Sequence, residues 1–374
     1  MKSFAILGEE AKSFPFVQYL GRVSIGEADI NIGVMEHEQP EFDEGAPDNA
    51  NMVLVKVRAM SCNYRDKSIM LLHAQQVKEN PRIPFSFIGS EFSGTVVAMG
   101  KNVSNFRIND DVMPNASYPD PPAKGVLPGI VSNHTGAGWL KIHESKLIKK
   151  PQEMTHVEAT CFCLGAQTAM SMVRRSNLRP GELSLIMSAR SVTSQFLYDA
   201  VTNISPDVFL STTDPTQIAN IDINRLIRPK YSEENSFLHS YETGLPVEFD
   251  KFDVIFDPFF DLHIDRILHY LKAGGRYITC GLQGQHPEFV DKDRSSSTNS
   301  SFNNTLYFAI MRNLTIIGNC IGTSEDLRNG LKLFEDGLIR PKIDAIYPPE
   351  DALRFVEHTF LDKNKNGKVV MSLD

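Results

Sequence analysis

Apolar residues recur along this chain at two periods, and the change from one to the other divides it. Up to about residue 150 the dominant spacing is two. Val53–Met60 (VLVKVRAM) alternates as a half-buried strand does, and Phe92–Met99 (FSGTVVAM) follows a glycine-punctuated turn and ends at Gly100. Asp110-Asp111 and Pro119–Pro122 mark loops. Short strands with frequent turns predict a barrel or a sandwich. Near Pro151 the pattern lengthens. Thr155, with Glu158 three positions on, forms a capping box that predicts a helix over His156–Arg175. Pro180-Gly181 then turns the chain into a β-α-β unit: an apolar run at Leu183–Met187, a helix-like stretch, and a second run at Val208–Leu210.

Phe252–Asp257 (FDVIFD) and Arg276–Cys280 (RYITC) are further strands with little polar interruption, as in a parallel sheet covered on both faces. Between them Ile264–Leu271 reads as a helix that Gly274-Gly275 terminates. Polar Gln285–Asn304 is the candidate mobile loop, placed after a strand end where α/β proteins bind ligands. The tail returns to strands at Leu314–Gly318, Ala345–Tyr347 and Lys368–Ser372, with a helix near Glu325–Glu335.

At 374 residues two domains are the expectation. Hydrophobic residues at 41% and charged ones at 22% describe an ordinary globular protein. A net charge of −8 disfavours nucleic acid and anionic membranes as partners. No apolar run approaches the roughly 20 residues of a membrane helix. The N-terminus lacks a signal-peptide pattern. Five scattered cysteines, Cys62, Cys161, Cys163, Cys280 and Cys320, argue against a disulfide framework, so a cytoplasmic location is expected.

Eight segments in order carry a resemblance: Ser61–Asp66 (SCNYRD), Gly89–Gly94 (GSEFSG) with Val96–Gly100, Glu158–Ala169, Phe252–Asp257, Ala273–Gly284, Asn313–Gly318, Glu335–Pro341 and Asn366–Val370 (NGKVV). The chain resembles the medium-chain dehydrogenase/reductase superfamily, and within it the zinc-independent quinone oxidoreductase and enoyl reductase branch. The resemblance implies an α/β protein of two parts. A GroES-like β-barrel catalytic domain would take residues 1–150, completed by 320–374. A Rossmann-type domain with a doubly wound parallel sheet would take 151–319. A nicotinamide cofactor would lie between them. Relatives commonly dimerise through the sheet edge where Leu314–Gly318 falls, so a homodimer is expected.

Zinc-dependent relatives place cysteine where this chain has Asn63 and histidine where it has Ser90; neither substitute is a usual zinc ligand. Cys163 lies near the place of their third ligand. Cys62 is one residue off the first, and neighbouring strand residues face opposite ways. No metal is therefore expected. Without a Lewis acid, reduction of a double bond conjugated to a carbonyl asks less of the protein than reduction of the carbonyl. The resemblance sets Asn63-Tyr64 beside the nicotinamide. Tyr64 would donate a hydrogen bond or proton, and Asn63 would hold the substrate carbonyl or the ribose. Packing of Tyr64 in a wall, and satisfaction of a loop by Asn63, stand as the alternatives. Arg65 and Asp66 read as structural. Ser90 reads as a small lining residue, with no general base apparent beside it. His134 reads as a solvated loop residue.

The turn after Leu183–Met187 lacks the usual glycines. It reads Ser188-Ala189-Arg190-Ser191-Val192-Thr193-Ser194. Either its hydroxyls replace backbone donors to a diphosphate, with Arg190 adding charge and the helix N-terminus its dipole, or Arg190 and Val192 fill the space. The first outcome is the expectation. It makes Ser188, Arg190, Ser191, Val192 and Thr193 cofactor residues. Ser211-Thr212-Thr213 ends the second strand without an acidic residue until Asp214, which points to NADPH. Thr168 matches a family position close to the nicotinamide. Cys280-Gly281-Leu282 matches a strand-end loop that passes under the cofactor.

The leading expectation is a zinc-free, NADPH-dependent reductase of an activated double bond: an enone, a quinone, an enoyl thioester, or a dehydroamino acid in a modified peptide. The alternative is a non-catalytic scaffold that kept the fold and lost the cofactor. A zinc-dependent alcohol dehydrogenase with unusual ligands is the third.

Overall fold

Period-two segments build the first part of the chain as strands: β1 (Lys2–Leu7), β2 (Val17–Ile25), β3 (Ala28–Glu36), β4 (Met52–Ser61), β5 (Phe85–Ser86), β6 (Glu91–Met99), β7 (Asp111–Pro114), β8 (Trp139–His143) and β9 (Leu147–Lys149). The computed structural model describes residues 1–218, 221–231, 236–248, 251–283 and 299–373. Helix α1 (Asp66–Glu79) interrupts the strands. Its buried Met70, Leu71 and Val77 recur at helical spacing. Helix α2 (His156–Ser176) begins behind the expected capping box: the Thr155 N–H donates to Glu158 Oε2 at 2.8 Å, and the Glu158 N–H to Thr155 Oγ1 at 3.1 Å.

The middle of the chain alternates strand and helix: β10 (Ser184–Ile186), α3 (Val192–Thr202), β11 (Val208–Ser211), β12 (Leu226–Pro229), β13 (Leu238–Ser240), β14 (Phe252–Asp257), α4 (Phe260–Ile267), β15 (Leu271–Thr279), α5 (Asn299–Met311), β16 (Thr315–Gly318) and α6 (Ser324–Glu335). The chain closes with β17 (Ile343–Tyr347), α7 (Ala352–Phe360) and β18 (Lys368–Ser372). It divides into two compact units. One holds the residues up to Leu164 and those from Pro341 onward; the other runs from Gly165 to Arg340.

In the first unit β18 returns from the chain end to pair antiparallel with β4, in the sheet order β17-β18-β4-β6-β7-β9. A second sheet has the order β2-β3-β1-β5. The core between them includes Phe4, Val55, Phe92 and Phe355, all fully buried. In the second unit the order is β13-β12-β11-β10-β14-β15-β16, parallel except where β13 turns back on β12. Leu185, Ile255, Phe252 and Tyr277 are fully buried in its core, at about 1.5–3 kcal/mol for each large apolar side chain. An antiparallel GroES-like part and a Rossmann-type parallel sheet make this the mixed α/β fold expected.

Two expectations need correction. Gly274 and Gly275 do not end a helix. The helix stops at Ile267 with a short 3-10 turn to Tyr270, and β15 already starts at Leu271, with the glycines at its irregular pairing to β14. Gly274 has a φ of 76°, which a strand tolerates at such a bulge. The candidate mobile loop, Gln285–Asn304, lies outside the described residues up to 298, and from Asn299 it is helix α5. Polar residues in its first turns, through Asn304, hid the start of this helix.

Candidate active site

The strand order places a topological switch point between β10 and β14: the chain leaves β10 through α3 to reach β11 on the other side. The glycine-poor turn lies at this point. Ser188 adopts a φ of 54°, the left-handed backbone that glycine takes without strain and that costs another residue about 1 kcal/mol. The Ala189 N–H donates to Ser211 O at 2.8 Å, and the Ser191 N–H to Ser188 O at 2.8 Å. The turn thus keeps a tight path without glycine.

The hydroxyls divide into two groups. Ser191 Oγ caps α3 by accepting from the Ser194 N–H. Ser194 is fully buried, and its Oγ donates to Met187 O at 2.7 Å. Both are engaged by the protein. Ser188 and Thr193 are partly exposed at the mouth of the turn. The N–H groups of Val192 and Thr193, in the first turn of α3, have no hydrogen-bond acceptor among the described residues. Two such donors at a helix N-terminus suit an anion. Arg190 Nη2 donates to Thr213 Oγ1 at 3.2 Å.

At the end of β11, Ser211 and Thr212 are buried and Thr213 is exposed. Thr212 Oγ1 donates to Asp214 O, and its carbonyl accepts from the Tyr241 hydroxyl at 3.0 Å. The Asp214 carboxylate accepts from the Thr216 N–H and hydroxyl, which hold it below the ordinary aspartate range. Burial raises the Tyr241 phenol, and the charges of Arg228, Asp214 and Arg190 also act on it. Tyr241 thus joins Arg190 at Thr212-Thr213, and the charge of Arg228 acts on Tyr241. Sequence reasoning missed both, because they follow a strand and a turn of ordinary composition.

At the end of β15, burial pushes the Cys280 thiol up to about 12. A Cβ on Gly281 would meet Pro258 O at 2.7 Å, so close approach of this chain's own backbone explains that glycine. Leu282 is exposed. Thr168 is buried in α2.

Asn63 and Tyr64 belong to the first unit, just before α1. Asn63 Nδ2 donates to Ser90 Oγ at 3.1 Å and to Glu91 Oε2 at 2.9 Å, while its Oδ1 accepts from Lys368 Nζ at 2.6 Å. Lys368 also donates to Glu91 Oε2 at 2.6 Å, and Glu91 Oε1 accepts from the Leu164 N–H at 2.6 Å. Asp66 Oδ2 accepts from Ser90 Oγ at 2.5 Å and from the Asn63 N–H at 2.6 Å. Asp66, Glu91 and Lys368 are all essentially buried. Burial works against the Lys368 ammonium, yet Glu91 holds its pKa above the ordinary lysine value. Burial lifts the Asp66 carboxyl above the usual aspartate range, outweighing Ser90 and Arg65. Ser90 therefore does have a carboxylate beside it, contrary to the expectation; Asp66 and Ser90 are 24 positions apart, and only the fold joins them. Tyr64 carries the Lys67 ammonium 5.9 Å from its ring centre. Arg65 Nη1 bridges Asp66 and Asn133. His134 is not simply solvated: its ring stacks on His73 at 5.3 Å.

This cluster does not suit zinc. An ammonium already lies within hydrogen-bond distance of Asn63 and Glu91, and a dication would have to share that space with it. Burial, then Asp66, pushes the Cys62 thiol well above its ordinary value, and burial does the same to Cys163. Among the described residues no three His, Cys, Asp or Glu side chains group to hold a metal.

Residues 49–140 match the alcohol dehydrogenase GroES-like domain family, and residues 238–370 the zinc-binding dehydrogenase family. The chain is 24% identical to acryloyl-coenzyme A reductase of Metallosphaera sedula, over 86% of this chain and 92% of that protein. It is 22% identical to quinone oxidoreductase-like protein 2 of Rattus norvegicus, over 86% and 85%. The solved quinone oxidoreductase from Coxiella burnetii superposes over the full length of both chains with a TM-score of 0.64 at 17% identity, which speaks to fold alone. With both domain families in their order and relatives spanning nearly the whole chain, the protein belongs to the medium-chain dehydrogenase/reductase superfamily of oxidoreductases.

Proposed function

We propose that this oxidoreductase is zinc-independent and uses NADPH to reduce a carbon–carbon double bond conjugated to a carbonyl. The observation that carries the reading is the open pair of N–H groups, Val192 and Thr193, at the head of α3 beneath a turn that keeps a left-handed residue at Ser188. Acryloyl-coenzyme A reductase and quinone oxidoreductase-like relatives favour enoyl thioesters and quinones as the first substrates to try.

When bound, a nicotinamide supplies the hydride. The chain does the rest. The Val192 and Thr193 N–H groups and the Ser188 hydroxyl would hold the diphosphate. Arg190 and Tyr241, at Thr212-Thr213, would take the 2′-phosphate, with Arg228 adding charge. Tyr64 would steady the substrate's carbonyl oxygen and pass a proton from its hydroxyl. Asn63, fixed by Lys368 and Glu91, would keep the Tyr64 loop in place.

Fluorescence titration tests the cofactor claim. NADPH should bind more tightly than NADH. Arg190→Ala should weaken NADPH about tenfold, the worth of one charge-assisted hydrogen bond, and leave NADH nearly unchanged. No binding at millimolar NADPH would favour the scaffold reading, which the engagement of Ser191 and Ser194 by the protein itself supports.

We also propose a homodimer. Leu306, Tyr307, Ile310 and Met311 on α5 and Ile316 on β16 are exposed together at one edge of the parallel sheet. Sedimentation at micromolar protein should give twice the chain mass; a monomer there would refute it.

A further inference from the structure

The second unit holds a relay that the redox reading does not use. Asp257 ends β14, fully buried, and His263 sits one turn into α4 with 2% exposure. His263 Nδ1 lies 2.9 and 3.0 Å from the two Asp257 oxygens. Facing a carboxylate, this nitrogen carries the proton, so in the neutral ring Nε2 is the acceptor. Nε2 is 3.1 Å from the Tyr231 hydroxyl. Asp257 is itself fixed by the Tyr277 hydroxyl at 2.7 Å and the Phe259 N–H at 2.9 Å. Tyr231 is anchored from behind, its carbonyl accepting from Arg266 Nη1 at 2.7 Å, and it is 47% exposed.

A carboxylate orients an imidazole, and the imidazole accepts the proton of a hydroxyl on a half-exposed residue: this is the arrangement that activates a nucleophile. Two similar groupings lack one element each. Ser93, against His156 and Asp111, is fully buried and out of reach. Tyr347, against His358 and Asp344, has a partly exposed dyad that solvent screens.

We propose that Tyr231 is an activated nucleophile, a covalent modification site for acyl and sulfonyl electrophiles, with His263 as its general base and Asp257 as the positioning residue. With a sulfonyl fluoride, the phenol oxygen attacks sulfur, the S–F bond breaks, fluoride departs, and the phenol proton passes to His263 Nε2. Burial and Asp257 raise the Tyr231 phenol above its ordinary value, so the neutral phenol reacts with base assistance, not a standing phenolate.

The test is labelling of the intact protein with phenylmethanesulfonyl fluoride at neutral pH, read by peptide mass spectrometry. Tyr19 is the internal control, because it is exposed to a similar degree, 42% against 47%, and lies in the other unit. General-base assistance gives about 10²–10⁴-fold, so Tyr231 should label at least about tenfold faster than Tyr19. The advantage should vanish in His263→Gln and in urea-unfolded wild type. Equal rates at Tyr231 and Tyr19 in the folded protein would overturn the proposal, as would an advantage that survives urea or the His263 substitution. The unfolded control keeps the test decisive if the variant fails to fold. Cofactor binding plays no part in any arm, so this site stands or falls apart from the reductase reading.

Discussion

Lys368→Met should lower the stability of the protein by about 3–5 kcal/mol, measured by urea denaturation at pH 7. The substitution keeps most of the side-chain volume and removes the charge. It leaves the Glu91 carboxylate buried, with the Asn63 amide and the Leu164 N–H as its remaining donors. It also strips Asn63 Oδ1 of its ammonium partner. Breaking a buried pair is costly because the desolvation of the surviving ion is no longer offset. One further result should follow. The double variant Lys368→Met/Glu91→Gln should recover most of the stability, since neither charge is then left alone. A single variant within about 1 kcal/mol of wild type would show that the cluster is solvated in a way its burial does not suggest.

Tyr64→Phe is expected to reduce kcat by about 10²–10⁴-fold on an enoyl thioester or enone with NADPH, and to change KM little. The phenol ring and its packing remain; only the hydroxyl is lost. A donor needed chiefly as charge develops on the carbonyl oxygen acts on the transition state more than on the ground state. An unchanged kcat, measured by NADPH oxidation under saturating substrate, would assign Tyr64 to the wall of the site. An equal fall in stability would do the same, since it would point to a packing role.

The parallel sheet was legible because its strands are continuous apolar runs, and the capping box at Thr155 and Glu158 because capping is a local pattern three residues long. The helix α5 was not legible. Its polar first turns look like a loop, and nothing local marks them otherwise. The cluster around Asn63 shows the other limit. The motifs that supply it, SCNYRD, GSEFSG and NGKVV, could each be read, but the Lys368–Glu91 bond joins positions 277 apart. Pairing at that distance is set by β18 docking on β4, not by any spacing in the chain. For the same reason the carboxylate beside Ser90 went unseen. At the turn, Ser188–Ser194 read as a row of equal hydroxyls, whereas the fold sorts them, using Ser191 as a cap and burying Ser194.

The two margins of the parallel sheet differ in kind. At one, β13 is three residues long and antiparallel, and the chain folds back on it through the bridge between His239 and Pro246. At the other, β16 ends the strand order among the described residues, with Ile316 exposed and only the Gly318 carbonyl capped, by Arg175. A neighbour copy can be joined by hydrogen bonds along this second margin, while the blunted one offers little template for the next. Self-association through such a sheet closes on itself after a single addition, so concentrating the protein should yield pairs that stay soluble, not growing fibres.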